Sequence, residues 1–273
     1  MRVLLIGDII GRPGREVVRL LLPRFKVAHR IDFVVANGEN AAGGTGITRE
    51  KAEDLFRAGV HVITTGNHIW KHKTVLKYLD SEERLLRPAN FSPRSPGRGW
   101  GVYRTDAGES VGVVNLQGRV FMAPSDCPFE EAERALEQIR PLAAVILVDF
   151  HAEATSEKQA LGWFLDGSAS VVAGTHTHVQ TADEQILPQG TAYITDLGMT
   201  GPFDSIIGME REPALSRFLD GMPRPMTPAR DRLFLEGLVA DIDASSGKAR
   251  SVERIHLSVQ PTPPGDDAAG GTP

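Results

Sequence analysis

Cysteine is nearly absent: Cys127 is the only one in 273 residues, so no intrachain disulfide can form and the chain is expected to reside in a reducing cytoplasm. Positive charge is short as well. Lys and Arg number 30 against 35 Asp and Glu, a formal net charge of -5, which argues against wholesale binding to a phosphate backbone and gives no strong nucleic-acid signal. No apolar run approaches the roughly 18 residues of a membrane span, and Val3-Leu4-Leu5-Ile6 is too short for a signal-peptide core before it meets Gly7-Asp8. Neither membrane insertion nor export is expected. Internal repeats, an interdomain linker and a compositional break before residue 260 are missing too. What is present, 41% hydrophobic and 24% charged residues, is the composition of an ordinary soluble globular domain.

Apolar periodicity divides the chain into alternating strands and helices. Residues 3–7 read as a buried strand, 14–28 as a helix with apolar spacing at Val17, Val18, Leu21 and Leu22, and 33–36 as the next strand. Thr48 suits an N-cap and Gly59 a stop, which predicts a helix up to Ala58 and then a strand over 60–64. A short helix is predicted over 70–79, a long loop over 88–101 where proline and glycine cluster, and a strand over 111–116. Further on, helices at 129–139 and 157–165 alternate with strands at 144–150, 170–173 and 192–195. A closing hairpin, 233–242 with 249–259, turns at Asp243-Ala244-Ser245-Ser246-Gly247 and implies a mixed sheet. The expected organisation is one α/β domain over 1–259, followed by a disordered C-terminal tail over 260–273, where small polar residues, proline and glycine prevail.

The unusual polar residues fall where predicted strands end. Asp8 follows the first, Glu39-Asn40 the second, Asn67-His68 the strand over 60–64, His151 that over 144–150, and His176 and His178 that over 170–173. Five strands thus deliver them to one edge, where an open α/β sheet places its ligand crevice. Acidic residues in such loops also cap helices, so Asp8 and Glu39 taken singly carry little weight. The histidines of Gly174-Thr175-His176-Thr177-His178 are harder to dismiss, because residues two apart in an extended segment point the same way. Carboxylate, amide and imidazole without thiolate offer mixed oxygen and nitrogen donors, which suit manganese, iron or zinc and fit calcium less well. Seven candidate donors exceed one four-coordinate site, so a pair of ions bridged by Glu39 is expected. His29, His61, His72 and His256 lack comparable company and are read as surface or packing residues. Gly43-Gly44-Thr45-Gly46 has no Walker lysine and is read equally as a phosphate cradle or a flexible turn.

The set Gly7-Asp8, Gly38-Glu39-Asn40, Gly66-Asn67-His68, His151 and Gly174-Thr175-His176-Thr177-His178 resembles the calcineurin-like metallophosphoesterases over about the first two hundred residues. Within that superfamily, Asn37-Gly38-Glu39-Asn40-Ala41-Ala42-Gly43-Gly44, Val114-Asn115-Leu116-Gln117-Gly118-Arg119 and Gly198-Met199-Thr200-Gly201-Pro202 closely resemble the bacterial YmdB-like phosphodiesterases. The resemblance implies a four-layer α/β/β/α sandwich with mixed sheets and a binuclear metal centre that hydrolyses phosphodiesters, including 2′,3′-cyclic nucleotides. Carried over residue by residue, it implies that Asp8, Glu39, Asn40 and His178 surround one ion and Glu39, Asn67, His151 and His176 the other, with His68 as proton donor to the leaving oxygen. Two positions depart from the broad superfamily: Ile10 stands where a histidine often follows the first aspartate, and Glu39 where a bridging aspartate is usual. The YmdB-like subfamily shares both. The arginine that follows the second motif in protein phosphatases is replaced by the stretch Ala41-Ala42-Gly43, which favours a smaller substrate than a phosphoprotein.

The expected enzyme is therefore a binuclear-metal phosphodiesterase in which a metal-activated hydroxide attacks phosphorus in line and His68 is the general acid. Two divalent or mixed-valence ions, iron or manganese ahead of zinc, are the expected cofactors, a small phosphodiester or cyclic nucleotide the substrate, and a symmetric homo-oligomer the allowed assembly. Two other classes compete. One is a nucleotide-responsive regulatory protein with slow turnover, disfavoured by the intact donor set. The other is a nuclease on longer RNA or DNA, which would need Arg94, Arg98, Arg104 and Arg119 to form a local basic strip.

Overall fold

A computed structural model describes residues 1–259; the tail expected over 260–273 lies outside them. The elements run β1 (Arg2–Ile6), β2 (Asp8–Ile9), α1 (Gly11–His29), β3 (Phe33–Asn37), α2 (Arg49–Arg57), β4 (Val62–Thr64), α3 (Leu76–Ser81), β5 (Trp100–Arg104), β6 (Ser110–Gln117), α4 (Pro128–Ile139), β7 (Val145–His151), α5 (Thr155–Phe164), β8 (Val171–Thr175), β9 (Gln185–Ile186), β10 (Ala192–Ile194), β11 (Met199–Pro202), α6 (Arg211–Asp220), β12 (Leu233–Ile242) and β13 (Ala249–Ser258). Two mixed sheets result. One has the order β2-β11-β12-β1-β3-β4 with β13 paired to β12, the other β5-β6-β7-β8-β10-β9. In the first, β1, β3 and β4 are parallel; in the second, β6, β7, β8 and β10 are.

The layers follow from alternation along the strands, since successive side chains of a strand point to opposite faces. Val3 and Leu5 of β1 and Phe33 and Val35 of β3 pack between the sheets, against Val111 and Val113 of β6, Val145 and Leu147 of β7, and Val171 and Ala173 of β8. Their neighbours Leu4, Ile6, Val34 and Ala36 face outward onto Val17, Val18 and Leu22 of α1 and Ala52 and Leu55 of α2. On the far side, Val114, Ile146, Val148 and Val172 meet Ala132, Ala135, Leu136 and Ile139 of α4 and Leu161 of α5. Three apolar interfaces separate four layers, which is the α/β/β/α sandwich of the metallophosphoesterase fold. Each fully buried Val, Leu or Ile contributes roughly 1.5–3 kcal/mol by leaving water, so strands that are apolar on both faces stay buried on both. No helix of the described residues is long and apolar enough to cross a membrane.

Several expectations need correction. The helix predicted over 70–79 is two 3-10 turns, Ile69–Lys71 and Lys73–Val75, before α3. The long loop ends early, because Trp100 and Gly101 open β5, an edge strand antiparallel to β6. β2, β9 and β11 are too short or too rich in Gly and Pro to show periodicity, and α6 buries Ala214 alone, so it has no apolar stripe to detect. The single edge expected to gather the polar residues is instead a rim shared by two sheets. β1, β3 and β4 supply it from one side and β7 and β8 from the other.

Candidate metal centre

The rim is levelled by strand register. Asn37 at the end of β3 lies opposite Thr64 of β4, while Gln117, His151 and Thr175 line up across β6, β7 and β8. His151 is fully buried, and its ring sits at the middle of the cluster. Its Nε2 lies 3.2 Å from Glu39 Oε1, 3.1 Å from Asn67 Oδ1 and 3.0 Å from His176 Nδ1. A single N–H cannot serve three such neighbours, two of them oxygens without a proton to give. Donor atoms of Glu39, His151 and His176 all fall within 4.8 Å of one another, a spacing that could hold a metal ion. Beside this group stands a second one. His178 Nε2 is 3.7 Å from Asp8 Oδ1 and 3.1 Å from Asn40 Nδ2, and Asn40 Nδ2 is 3.3 Å from Glu39 Oε1. Glu39 belongs to both groups. Asn40 presents its amide nitrogen rather than its oxygen here, and a half-turn of the amide would exchange the two.

The polar environment favours positive charge at this rim. Burial alone would disfavour an imidazolium at His151, yet Glu39, Asp8 and Asp149 hold its pKa up at about 9. Burial also works against the Glu39 carboxylate, but the charge and hydrogen bond of His151 and the hydrogen bond of His68 overcome it and keep Glu39 well below the usual range. Asp8 is pushed up to about 6 by burial, against the pull of His178 and His151. Burial and the neighbouring His151 charge drive His176 down to about 3, so its ring is neutral, and with Nε2 turned to Glu153 its Nδ1 is the bare nitrogen. Among the described residues, Asp8 Oδ1 is buried without a hydrogen-bond partner, an orphan of the kind a cation would satisfy. Two carboxylates, two amides and three imidazoles converge on this orphaned oxygen, a donor set that fits divalent ions.

Behind the rim, a buried network fixes each imidazole. Thr175 Oγ1 donates to Asp149 Oδ1 at 2.7 Å and therefore accepts from His151 Nδ1, 3.0 Å away, which leaves His151 Nε2 facing the cluster. Asn37 Nδ2 donates to Asp149 Oδ2 at 3.0 Å and Thr64 Oγ1 donates to the same oxygen, so Asp149 ties β3 and β4 to β7 and β8. His178 Nδ1 donates to the Ile207 carbonyl at 2.9 Å, and His176 Nε2 meets Glu153 at 3.1 Å. Asp196, itself buried against Lys158 Nζ at 2.6 Å, accepts from the Thr177 amide and hydroxyl between the two histidines. Sequence reasoning missed Asp149, Asn37, Thr175, Glu153 and Asp196. They lie inside the motifs or within two residues of them, and only their convergence gives them a role.

All eight predicted residues, Asp8, Glu39, Asn40, Asn67, His68, His151, His176 and His178, therefore meet at this rim. The run 174–178, expected to be extended, is not so at its histidines: His176 and His178 have φ of 101° and 65°, left-handed values that cost a non-glycine residue about 1–3 kcal/mol. The Asp196 and Ile207 contacts hold them there. His68 stands apart, partly exposed, with Nδ1 3.0 Å from both Glu39 Oε1 and Asn40 Oδ1, and no partner to Nε2 among the described residues. His61 accepts from the Val34 amide and stacks on Phe33, His29 stacks on Phe25, and His256 pairs with Glu236, so these histidines do pack or pair elsewhere. His72 reaches the Thr45 carbonyl, and the glycines at 43, 44 and 46 all have positive φ in a tight turn. Of the arginines in the expected basic strip, Arg98 is paired with Glu83 and Arg104 donates to the Gly108 carbonyl.

Known proteins resemble this chain along nearly its whole length. A Bacillus subtilis (strain 168) protein described as 2′,3′-cyclic-nucleotide 2′-phosphodiesterase is 48% identical over 258 residues, covering 94% of this chain and 97% of the relative. The crystal structure of a hypothetical protein from Thermus thermophilus superposes with a TM-score of 0.88 at 44% identity, over 94% of this chain and 99% of that one. A Mycoplasma pneumoniae structure described as a novel phosphatase also gives 0.88, at 32% identity, over 94% and 93% of the two chains. The family model described as YmdB-like protein matches residues 4–255, and the chain belongs to that family.

Proposed function

We propose that this chain is a metal-dependent phosphodiesterase acting on small diesters, 2′,3′-cyclic nucleotides first among them, through one catalytic domain over residues 1–259. The observation that carries it is His151 Nε2 pressed among Glu39, Asn67 and His176 beside an Asp8 oxygen without a hydrogen-bond partner among the described residues. The Bacillus subtilis relative's described activity suggests the substrate class. Asp8, Glu39, Asn40 and His178 would hold one ion, and Glu39, Asn67, His151 and His176 the other. Nitrogen and oxygen donors without thiolate suit iron, manganese or zinc, and iron or manganese is proposed as the native pair. Two such ions, when bound, supply charge to offset the phosphate and make a water acidic enough to attack.

The chain's own residues do the rest. Thr175 and Asp149 keep His151 Nε2 aimed inward. Glu39 is held ionised by its histidine neighbours, as a bridging carboxylate must be. His68, anchored at Nδ1 and open at Nε2 among the described residues, would give a proton to the departing alkoxide, an acid contribution of about 10²–10⁴-fold. A nuclease reading gains nothing from Arg98 and Arg104, whose charges or donors are already engaged.

The test is a hydrolysis panel of 2′,3′-cyclic, 3′,5′-cyclic, linear diester and monoester substrates with Mn²⁺, run on the parent and on His68→Ala. The 2′,3′-cyclic diester should turn over fastest. His68→Ala should retain its ion content by elemental analysis while kcat drops by about 10²–10⁴-fold. Equal turnover by the two proteins would remove His68 from the mechanism, and a preference for the monoester would remove the diesterase reading itself.

A further inference from the structure

Next to Asn67, on the side away from His178, lies a cleft of about 530 Å³ whose wall includes Trp70, Phe91 and Gln117. We propose that this cleft is a nucleobase subsite that selects bases carrying an N–H donor on their edge, an inference that rests on the cyclic-nucleotide reading and deepens it.

Three observations support it. The Trp70 and Phe91 rings lean on each other at 5.7 Å and 35°, forming one continuous aromatic wall, and Trp70 leaves about a third of its surface, 36%, uncovered. An aromatic face open to a cleft beside phosphate chemistry is a stacking platform for a base. At the back, Gln117 is fully buried and its Oε1 has no hydrogen-bond partner among the described residues, while its Nε2 is committed to the Ala123 carbonyl at 3.3 Å. A buried amide oxygen left open is unfavourable unless a donor arrives, and an exocyclic amine of adenine or cytosine is such a donor. The cleft is also built rather than incidental. Asn90, buried beneath it, donates to the Gln117 and Asp126 carbonyls at 2.8 and 2.9 Å and to Ser125 Oγ at 3.1 Å, and accepts from the Gln117 amide at 2.8 Å. One side chain thereby ties the end of β6 to the loop that forms the opposite wall.

The position fits the bond to be broken. In a 2′,3′-cyclic nucleotide the base is carried on the carbon beside C2′, so when the 2′ oxygen leaves, the base lies close to whatever protonates it. His68 and Trp70 are two residues apart on one turn, and Asn67 borders both the metal cluster and the cleft. A second cleft, of about 630 Å³, opens on the His178 side, but its polar groups are already paired: Glu236 with His256 and the Met199 amide, Gln180 with three carbonyls. The cleft between α1 and α2, about 430 Å³, is lined by arginines and acids and offers no aromatic face.

The experiment compares 2′,3′-cyclic AMP with methyl riboside 2,3-cyclic phosphate, which has the same diester and no base, on the parent, Trp70→Ala, Trp70→Phe and Gln117→Leu. Trp70→Ala should lower the ratio of kcat/KM for the nucleotide over the baseless diester by about 5- to 150-fold, the worth of one stacked base, with Trp70→Phe within a few-fold of the parent. Gln117→Leu should lower the ratio of 2′,3′-cyclic AMP over the purine riboside analogue, which lacks the amine, by about 10-fold. Adenosine should quench tryptophan fluorescence of the metal-free parent saturably and fail to do so in Trp70→Phe. A parent that hydrolyses both diesters with equal kcat/KM overturns the subsite and leaves the diesterase reading standing. Hydrolysis of neither removes that reading, and the fluorescence titration then decides the subsite alone: absence of Trp70-dependent quenching overturns it.

Discussion

Gly66 shows how little room one residue can have. A Cβ built there would overlap His151 Nε2 and Cδ2 and Glu39 Oε2, the atoms at the middle of the cluster, so the backbone turn before Asn67 and His68 exists at this distance only without a side chain. Gly66→Ala should therefore separate Glu39 from His151 while leaving the sheets intact, because its φ is not among the positive ones and no core residue is displaced. The expected outcome is fewer than two ions per chain by elemental analysis and a fall in kcat/KM of about 10²-fold or more, as for a misplaced catalytic group, with an unchanged far-UV spectrum. Full ion content and parental turnover would show that the loop can move aside. At this scale the sequence was informative where chemistry-bearing types are rare. Glu39, Asn67 and the motif histidines stood out because strand-end loops seldom combine carboxylate, amide and imidazole. Asp149 did not, since one acid two residues before His151, inside the run Val145–His151, carries no signal until Asn37, Thr64 and Thr175 are seen to surround it.

Elements were legible in proportion to their apolar periodicity. β1, β3, β6, β7, β8 and the β12–β13 hairpin were found because burial on one or both faces writes a pattern of period two or a continuous apolar run. α6 was not, because packing imposed no stripe on it. His61, set just before β4, shows a coupling that periodicity cannot reveal. Its Nδ1 accepts the Val34 amide at 2.9 Å and its ring stacks on Phe33 at 4.8 Å, which fastens the start of β4 to β3. Burial and the charge of Lys26 push its pKa down to about 4, from about 6.5 in an unfolded chain. Between those values the unfolded chain binds the additional proton, so acid favours unfolding there, and above about 6.5 the group contributes no pH dependence. His61→Gln keeps an acceptor for Val34 without titrating. Its Tm should fall less steeply than the parent's between about pH 6.5 and 4, and coincident slopes would show that His61 does not carry this linkage.

The whole molecule places its chemistry where two sheets meet, and this was the least legible feature. A strand order with β1, β3 and β4 in one sheet and β7 and β8 in the other cannot be read from alternation along a chain, which reports burial of each strand and not its partner. The geometry has a thermodynamic consequence. Asp8, Glu39, Asn40 and Asn67 come from strands and loops of the first sheet, and His151, His176 and His178 from those of the second, so ions bound among them would join the two layers at the rim. An ion that binds the folded chain and not the unfolded one stabilises it by RT ln(1 + [L]/Kd), about 2.7 kcal/mol at a hundred times Kd. For a domain of this size each kcal/mol moves Tm by about 2–4 °C. Chelation by EDTA should therefore lower Tm by about 5–10 °C, reversibly on return of Mn²⁺, whereas Glu39→Gln, which weakens the group shared by both halves, should start from the lower Tm and respond little to either reagent. Parallel Tm changes in parent and variant would mean that the ions do not act through Glu39, and no change in the parent would mean that the interlayer core of Val3, Leu5, Val113, Leu147 and Leu238 holds the sheets together without them.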